Sequence, residues 1–513
     1  MILFSKKKLL IVSLCYIYIP VIVFLFGWTK LYIALGCSFI LLFAVARLYH
    51  DCSSRQAEEI CIGKGCLLFL LLFFFLVGYY AGWGRFTEQS SDWWKHNAVL
   101  ADLVNHSWPV YYINGEEHSM LTYYLGQYII PALAGKVLHS FRTAEFATLL
   151  WAELGLFLVY MNLIRIFQVR VWYMRLLTAG LLCFFNGPLL LGQKIAGMVY
   201  PELDSMTSNR QWFIWQDDVL LQYSNHFVLL RWVFPQVLVI WLCFLFFYEH
   251  KCMVQHYMTV LLPGIFFGVL PFVGVLPFAV GYAFFMLYQE RSIKRWIRQV
   301  FSLQNVMSFL SFGIVMLLYF YGNVLSEKPD VIRFRMVEYG GEFGEYIIFI
   351  FFMVLLYGMC IFRDNRGNVF FYIAVASLIL IPLFRMGRFN DWVMRCSIPA
   401  LFVNFMLIIK FLNDHLAEVQ LRIKRKKGGV DLRVAVLSAL MCIGLISPLQ
   451  ELYEVFSLDA LTELGNEMMG TMEDYSNRKI PELQGKEDLV YNYYSYDIEN
   501  NAFYKYVARK WIE

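Results

Sequence analysis

Apolar stretches of 17 or more residues recur from end to end of this 513-residue chain. Each is long enough to cross the ~30 Å hydrocarbon core of a bilayer as a helix. Inside a bilayer the backbone must satisfy its own hydrogen bonds, which leaves only helices and closed β-barrels. Barrel strands alternate apolar and polar residues, and these stretches do not. The sequence therefore predicts an all-α, polytopic transmembrane protein. Composition agrees, with 59% hydrophobic and only 16% charged residues, against about 45–50% and a quarter in soluble domains. A soluble enzyme, a disordered scaffold and a nucleic-acid binder are excluded.

The apolar runs predict about 13 spans, near 9–28, 31–48, 67–84, 145–164, 175–198, 227–248, 257–269, 272–289, 303–323, 345–362, 369–385, 397–412 and 433–449. Residues 256–289 carry Pro263, Pro271 and Pro277 and read as two short broken helices. Short loops rich in Lys and Arg stay cytoplasmic, so Lys6, Lys7 and Lys8 place the amino end inside. Residues 121–138 are apolar enough to be mistaken for a further span. If they crossed, the connector with Arg165, Arg170 and Arg175 would lie outside, so they are read as a helix along the outer face. The carboxyl end then lies outside, which suits the 13 acids and 6 bases of 450–513. Two parts follow: a membrane domain over 1–449 with a large outer loop at 85–144, and a small helical extracytoplasmic cap over 450–513.

Three polar clusters fall at the expected outer face. In the first, Asp92, Trp93, Trp94, Lys95 and His96 are consecutive, and a helix would put Asp92 and His96 on one face at i and i+4. Asp92 suits a general base, or an N-cap, and Asp92 with His96 suits a shared divalent metal, Mg or Mn. Lys95 joins them as a catalytic candidate. Asp102 and the acids after it in the loop read as solvated. The second cluster holds Asp218 and Arg231. Arg231 sits one turn inside an apolar helix, where charge is costly and often functional. It reads either as an anion-binding fork or as half of an ion pair with Asp218. The third runs from Arg385 to Arg395 and includes Arg388 and Asp391. Three arginines standing outside, against the charge rule, point to an anionic ligand even after Asp391 pairs with Arg395. No nucleotide-binding glycine loop, serine nucleophile elbow or HExxH zinc motif is present.

Ser91-Asp92-Trp93-Trp94-Lys95-His96-Asn97-Ala98-Val99-Leu100, with Trp108-Pro109-Val110-Tyr111 after it, is similar to a segment in a group of bacterial polytopic membrane proteins. Asn390-Asp391-Trp392-Val393-Met394-Arg395, followed by Ser397-Ile398-Pro399-Ala400-Leu401, resembles the same group. Group and layout look like the GT-C superfamily of integral-membrane glycosyltransferases, with two departures. Many GT-C families carry Asp-Glu or paired Asp where this chain has Asp-Trp-Trp-Lys-His, and many have one span before the loop-leading span rather than two. The resemblance implies an enzyme of the bacterial inner membrane that takes a sugar from a polyprenyl-phosphate donor at the outer face. It passes that sugar to a glycan, lipid or protein acceptor. An acid in the first outer loop, at the place of Asp92, would act on the acceptor as base or through a metal. Arg231, Arg388 and Arg395 are then candidates for the donor phosphate, with Trp93 and Trp94 for sugar faces. Competing readings are a transporter or flippase of lipid-linked glycans, and a glycan polymerase.

Overall fold

The structure, a computed structural model, describes all residues except 1, 54–58, 91, 115–116, 201–212, 216–219, 326–334, 338–342, 387–389, 425–430, 459–492, 496–497 and 511–513. Helix α1 (Lys6–Trp28) begins at Ser5, whose hydroxyl accepts from the Lys8 N–H. It is preceded by β1 (Ile2–Ser5), paired antiparallel with β2 (Glu59–Ile62). At 23 residues, α1 is roughly 34 Å long. The helices α2 (Leu31–Ser53) and α3 (Lys64–Tyr80) follow. They leave Phe39 and Leu68 about 70% exposed (74% and 69%), as perimeter helices in lipid should.

The centre is built from later helices. They are α6 (Phe141–Ile166), α9 (His226–Trp232), α10 (Phe234–Glu249) and, further on, α21 (Ile398–Lys424). In α10, 14 of 16 residues are buried, so a helix apolar on all sides is here surrounded by protein. Between α3 and α6 lie α4 (Trp93–Asn105), the hairpin β3 (Tyr111–Asn114) and β4 (Glu117–Leu121), and α5 (Ile129–Val137). The helices α7 (Trp172–Phe184) and α8 (Leu189–Val199) are bent by 47° across their break. Short antiparallel pairs join β5 (Ile214–Trp215) to β6 (Leu220–Leu221) and β7 (Arg335–Met336) to β8 (Phe384–Arg385).

Among the described residues, eight helices are long and apolar enough to cross a membrane, or nine if the bent pair counts as one. This establishes a polytopic helical membrane protein. Length alone does not reach 13: the other expected positions fall on apolar helices of 10–17 residues, at Lys64–Tyr80, Phe234–Glu249, Val254–Phe267 and Val369–Leu383.

The proline-rich stretch divides differently from expectation. Its first part is short and broken, α11 (Tyr257–Leu261) and α12 (Gly264–Phe267) meeting around Pro263. Its second part is one 22-residue helix, α13 (Val269–Glu290), that runs through Pro277. Pro271 falls in its first turn, where no N–H is needed. Residues 121–138, in contrast, contain only the nine-residue α5, roughly 14 Å long and too short to cross.

Beyond α13 come α14 (Ile293–Val300), α15 (Leu303–Ser308), α16 (Ile314–Leu325), α17 (Phe343–Ile350), α18 (Leu356–Ile361), α19 (Val369–Leu380), α20 (Asp391–Cys396), α21 and α22 (Leu432–Leu458). The described carboxyl-terminal residues then return to the β3–β4 hairpin. There β9 (Tyr494–Ser495) pairs antiparallel with Met120 and Leu121, and Ala508 bridges Thr29 at the end of α1.

Candidate functional site at the α4–α9–α20 junction

The site begins with a helix end that cannot satisfy itself. Helix α9 gives way directly to α10, whose second residue is Pro235. Proline has no N–H to offer the carbonyl four residues back, here that of Arg231. Three side chains close the gap. Trp83 Nε1–H donates to the Leu230 carbonyl at 2.9 Å, Trp93 Nε1–H to the Arg231 carbonyl at 2.8 Å, and His96 Nε2–H to the Trp232 carbonyl at 3.2 Å. Burial without partners would cost about 1–3 kcal/mol per carbonyl. The indole of Trp93 also stacks on Phe234, ring centroids 5.1 Å apart and planes within 13°. At 3% exposure Trp93 is thus a packed anchor of α4, which leaves the half-buried Trp94 as the indole nearer an open surface.

With α4 pinned, the polar residues before and after Trp93 are fixed. His96 Nδ1 accepts from the Tyr128 hydroxyl, so both ring nitrogens are engaged and the neutral Nε2–H tautomer is set. Burial pushes the His96 pKa down to about 4, and the nearby Asp92 charge only partly offsets that. Asp92 stands at the N-cap position of α4, but its side chain makes no capping bond. Its carboxylate pairs instead with Lys95 Nζ at 2.6 Å and is 30% exposed. Burial raises its pKa, yet the charge and hydrogen bond of Lys95, with His96 and Arg395 adding, outweigh burial and hold it below the usual carboxylate range.

Arg395 joins this group from 300 residues away in sequence. Asn390 takes a left-handed φ of 49°, which Asn tolerates, and starts α20 at Asp391. Arg395 then binds Asp391 across i,i+4 at 3.0 Å, and donates to the Tyr124 hydroxyl at 3.0 Å. Its Nε is buried with no partner among the described residues. Asp92 and Arg395 are close enough that each favours the other's charge. Tyrosines fill the space between them. The Tyr124 hydroxyl also accepts from Gln236 Nε2 at 2.7 Å and contacts the Tyr123 hydroxyl. Tyr493, from beside β9, stacks on Tyr123 with centroids 4.0 Å apart. Burial raises the pKa values of Tyr124, Tyr128 and Tyr493, which keeps these phenols neutral.

The expected site residues thus divide. Asp92, Lys95, His96, Asp391 and Arg395 converge. Arg231 does not stand free as an anion-binding fork. It is 3% exposed and held by Glu88 at 2.5 Å and Glu451 at 3.3 Å, two carboxylates remote in sequence. Arg388 and Asp218 lie outside the described residues. Asp102 is not solvated: it is fully buried and accepts from the Tyr112 hydroxyl at 2.8 Å. For a metal shared by Asp92 and His96 the fit is poor, because neither imidazole nitrogen is vacant. Among the described residues no group of three His, Cys, Asp or Glu side chains is gathered for an ion.

Tyr124, Tyr128, Gln236 and Tyr493 belong to the site, although nothing in the sequence marked them for it beyond the Tyr123-Tyr124 pair. Chemically the arrangement offers an ionised carboxylate, a neutral imidazole and a guanidinium whose Nε–H is unclaimed among the described residues, around a wall of phenols. Comparison with protein families, with curated proteins and with solved structures finds no match.

Proposed function

We propose that this chain is a GT-C-like membrane glycosyltransferase that moves a sugar from a polyprenyl-phosphate donor to an acceptor at the extracytoplasmic face. The observation that carries the reading is that Asp92, held by Lys95 at the start of α4, and Arg395, donating to Tyr124, lie within electrostatic reach of each other, a base and an anion-binding fork in one neighbourhood. In this reading the bent and shorter apolar helices complete 13 spans, with the amino end cytoplasmic. The carboxyl-terminal residues share the outer face with the 85–144 loop, in keeping with their pairing to β4.

Asp92, already ionised, accepts the acceptor's hydroxyl proton as that oxygen attacks the anomeric carbon. The bond from that carbon to the donor phosphate oxygen breaks. Arg395 holds the departing phosphate through charge-assisted hydrogen bonds, and Lys95 lies close enough to share the developing charge. His96 carries no proton in this scheme: it fixes Tyr128 and the end of α9. Trp94 stacks on a sugar face.

The test compares lipid-linked and surface glycans by mass spectrometry in a deletion strain carrying wild type or Asp92→Asn at matched expression. Loss of one sugar unit in the deletion, restored by wild type and not by Asp92→Asn, is expected, with transfer reduced ~10²–10⁴-fold. Restoration by Asp92→Asn sinks the assignment of the base. Whole lipid-linked glycans accumulating unprocessed would point instead to transport or polymerisation.

A further inference from the structure

Helices α13 and α14 form a hairpin that turns at Arg291, itself left-handed at φ 51°. Trp296 fastens α14 to α13, its Nε1–H donating to the Ala283 carbonyl at 2.7 Å and its ring stacking on Phe284 at 5.6 Å. Ser302 Oγ–H donates to the Gln255 carbonyl at 2.7 Å, which places the hairpin at the same end of the molecule as Glu249, the last residue of α10.

Two stripes run along this hairpin. Ile293, Trp296, Ile297 and Val300 follow i, i+3, i+4, i+7, and Ile293 and Ile297 are exposed. On the opposite face of α14 lie Lys294, Arg295 and Arg298, spaced i, i+1, i+4, with Arg291 in the turn before them, and all four are exposed. Such spacing aligns each set on one side of a helix. No residue of α14 is buried.

Among the described residues none of the four side chains forms an ion pair, and the nearest acid in sequence, Glu290, accepts from Gln299 at 2.9 Å. Several bases elsewhere are compensated: Lys6 and Arg165 share Glu249, Lys410 holds Asp414, and Arg433 holds Asp364 and Asp431. Three cations on one face of α14, with a fourth in the turn before them, thus cluster without ion pairs among the described residues at the end of α13, a helix long and apolar enough to span a membrane. The apolar side chains beside them, Phe284, Tyr288 and Phe301, are exposed, as lipid-facing side chains are.

We propose that the Arg291–Arg298 stripe is a binding site for anionic phospholipid headgroups, which supply the phosphate charge that this chain withholds. The site is independent of sugar transfer. Each base near an anionic membrane surface strengthens binding about fivefold.

The full-length protein is placed in nanodiscs of equal phosphatidylcholine and phosphatidylglycerol, and the lipids that stay bound on release are counted by native mass spectrometry. Wild type should retain phosphatidylglycerol in preference. Each of Arg291→Gln, Lys294→Gln, Arg295→Gln and Arg298→Gln should weaken that preference about fivefold, and Lys410→Gln should leave it unchanged. An unaltered preference in all four single variants overturns the proposal, as does equal retention of the two lipids by wild type. Because the variants are single and surface-exposed, folding is checked on the same samples by thermal unfolding. Should one fail to fold, the wild-type preference must still fall as salt rises; a salt-independent preference refutes the site.

Discussion

Helix α10 carries a charge cluster at each end, and the two are built on opposite plans. At its carboxyl end Glu249 is saturated. Arg165 grips it with both terminal nitrogens at 2.7 and 2.6 Å, Lys6 adds a third contact at 3.0 Å, and Asn162 steadies the guanidinium at 3.2 Å. At the amino end, roughly 24 Å away along its 16 residues, Asp92 has one cationic partner and remains 30% exposed, while Asp391 is 38% exposed. Saturation costs mobility and reactivity, because both oxygens are held by cations. The first cluster therefore reads as a clamp joining the ends of α1, α6 and α10. The second retains the spare capacity that chemistry requires.

The sharpest way to break this contrast is to neutralise one acid at each end. Asp92→Asn should reduce transfer ~10²–10⁴-fold while leaving the unfolding temperature in detergent near wild type. Glu249→Gln should do the reverse. It leaves two buried cations short of an anion and costs about 3–5 kcal/mol of stability, with transfer per folded molecule retained. Equal stability losses in the two variants would erase the distinction.

A smaller effect concerns pH. The folded pKa of His96 is about 4, below the ordinary 6.5. As pH falls through this window the unfolded chain takes up a proton that the folded chain refuses. Stability from this group is therefore complete above pH ~6.5 and declines toward pH ~4, by on the order of 3 kcal/mol, then levels. Unfolding midpoints measured across that range should show the slope, and His96→Gln should flatten it.

Smaller still is Arg395→Lys. A single ammonium cannot hold Asp391 and Tyr124 and also face a phosphate as a fork does. The KM for the lipid-phosphate donor should rise about tenfold, with kcat changed less. Initial rates in vesicles against donor concentration would show it, and an unchanged KM would remove Arg395 from donor binding.

What was legible in the sequence was whatever local spacing decides. The apolar runs at 9–28 and 31–48 became α1 and α2, and the Asp391–Arg395 pair formed at its i,i+4 spacing. Local spacing misled at Asp92, whose partner is Lys95 at i+3, because His96 is drawn off to the α9 carbonyls. Trp93 shows the same limit: its packed role depends on Pro235, 142 positions away, removing a donor. Glu88 and Glu451 around Arg231, and Tyr493 beside Tyr123, come from contacts that no periodicity encodes. Pro277 signals a break by composition, yet α13 runs through it with Phe278 buried beside it.

Tyr493 also imposes an order on assembly. The site draws on positions 92, 124, 128, 395 and 493, so its pieces emerge from the ribosome hundreds of residues apart. The Thr122 N–H donates to the Tyr493 carbonyl at 2.8 Å, and that junction can form only after residue 493 has been made. Nascent chains already anchored by their first spans carry Asp92 with one wall of its surroundings missing. The site is therefore incomplete until that last wall arrives.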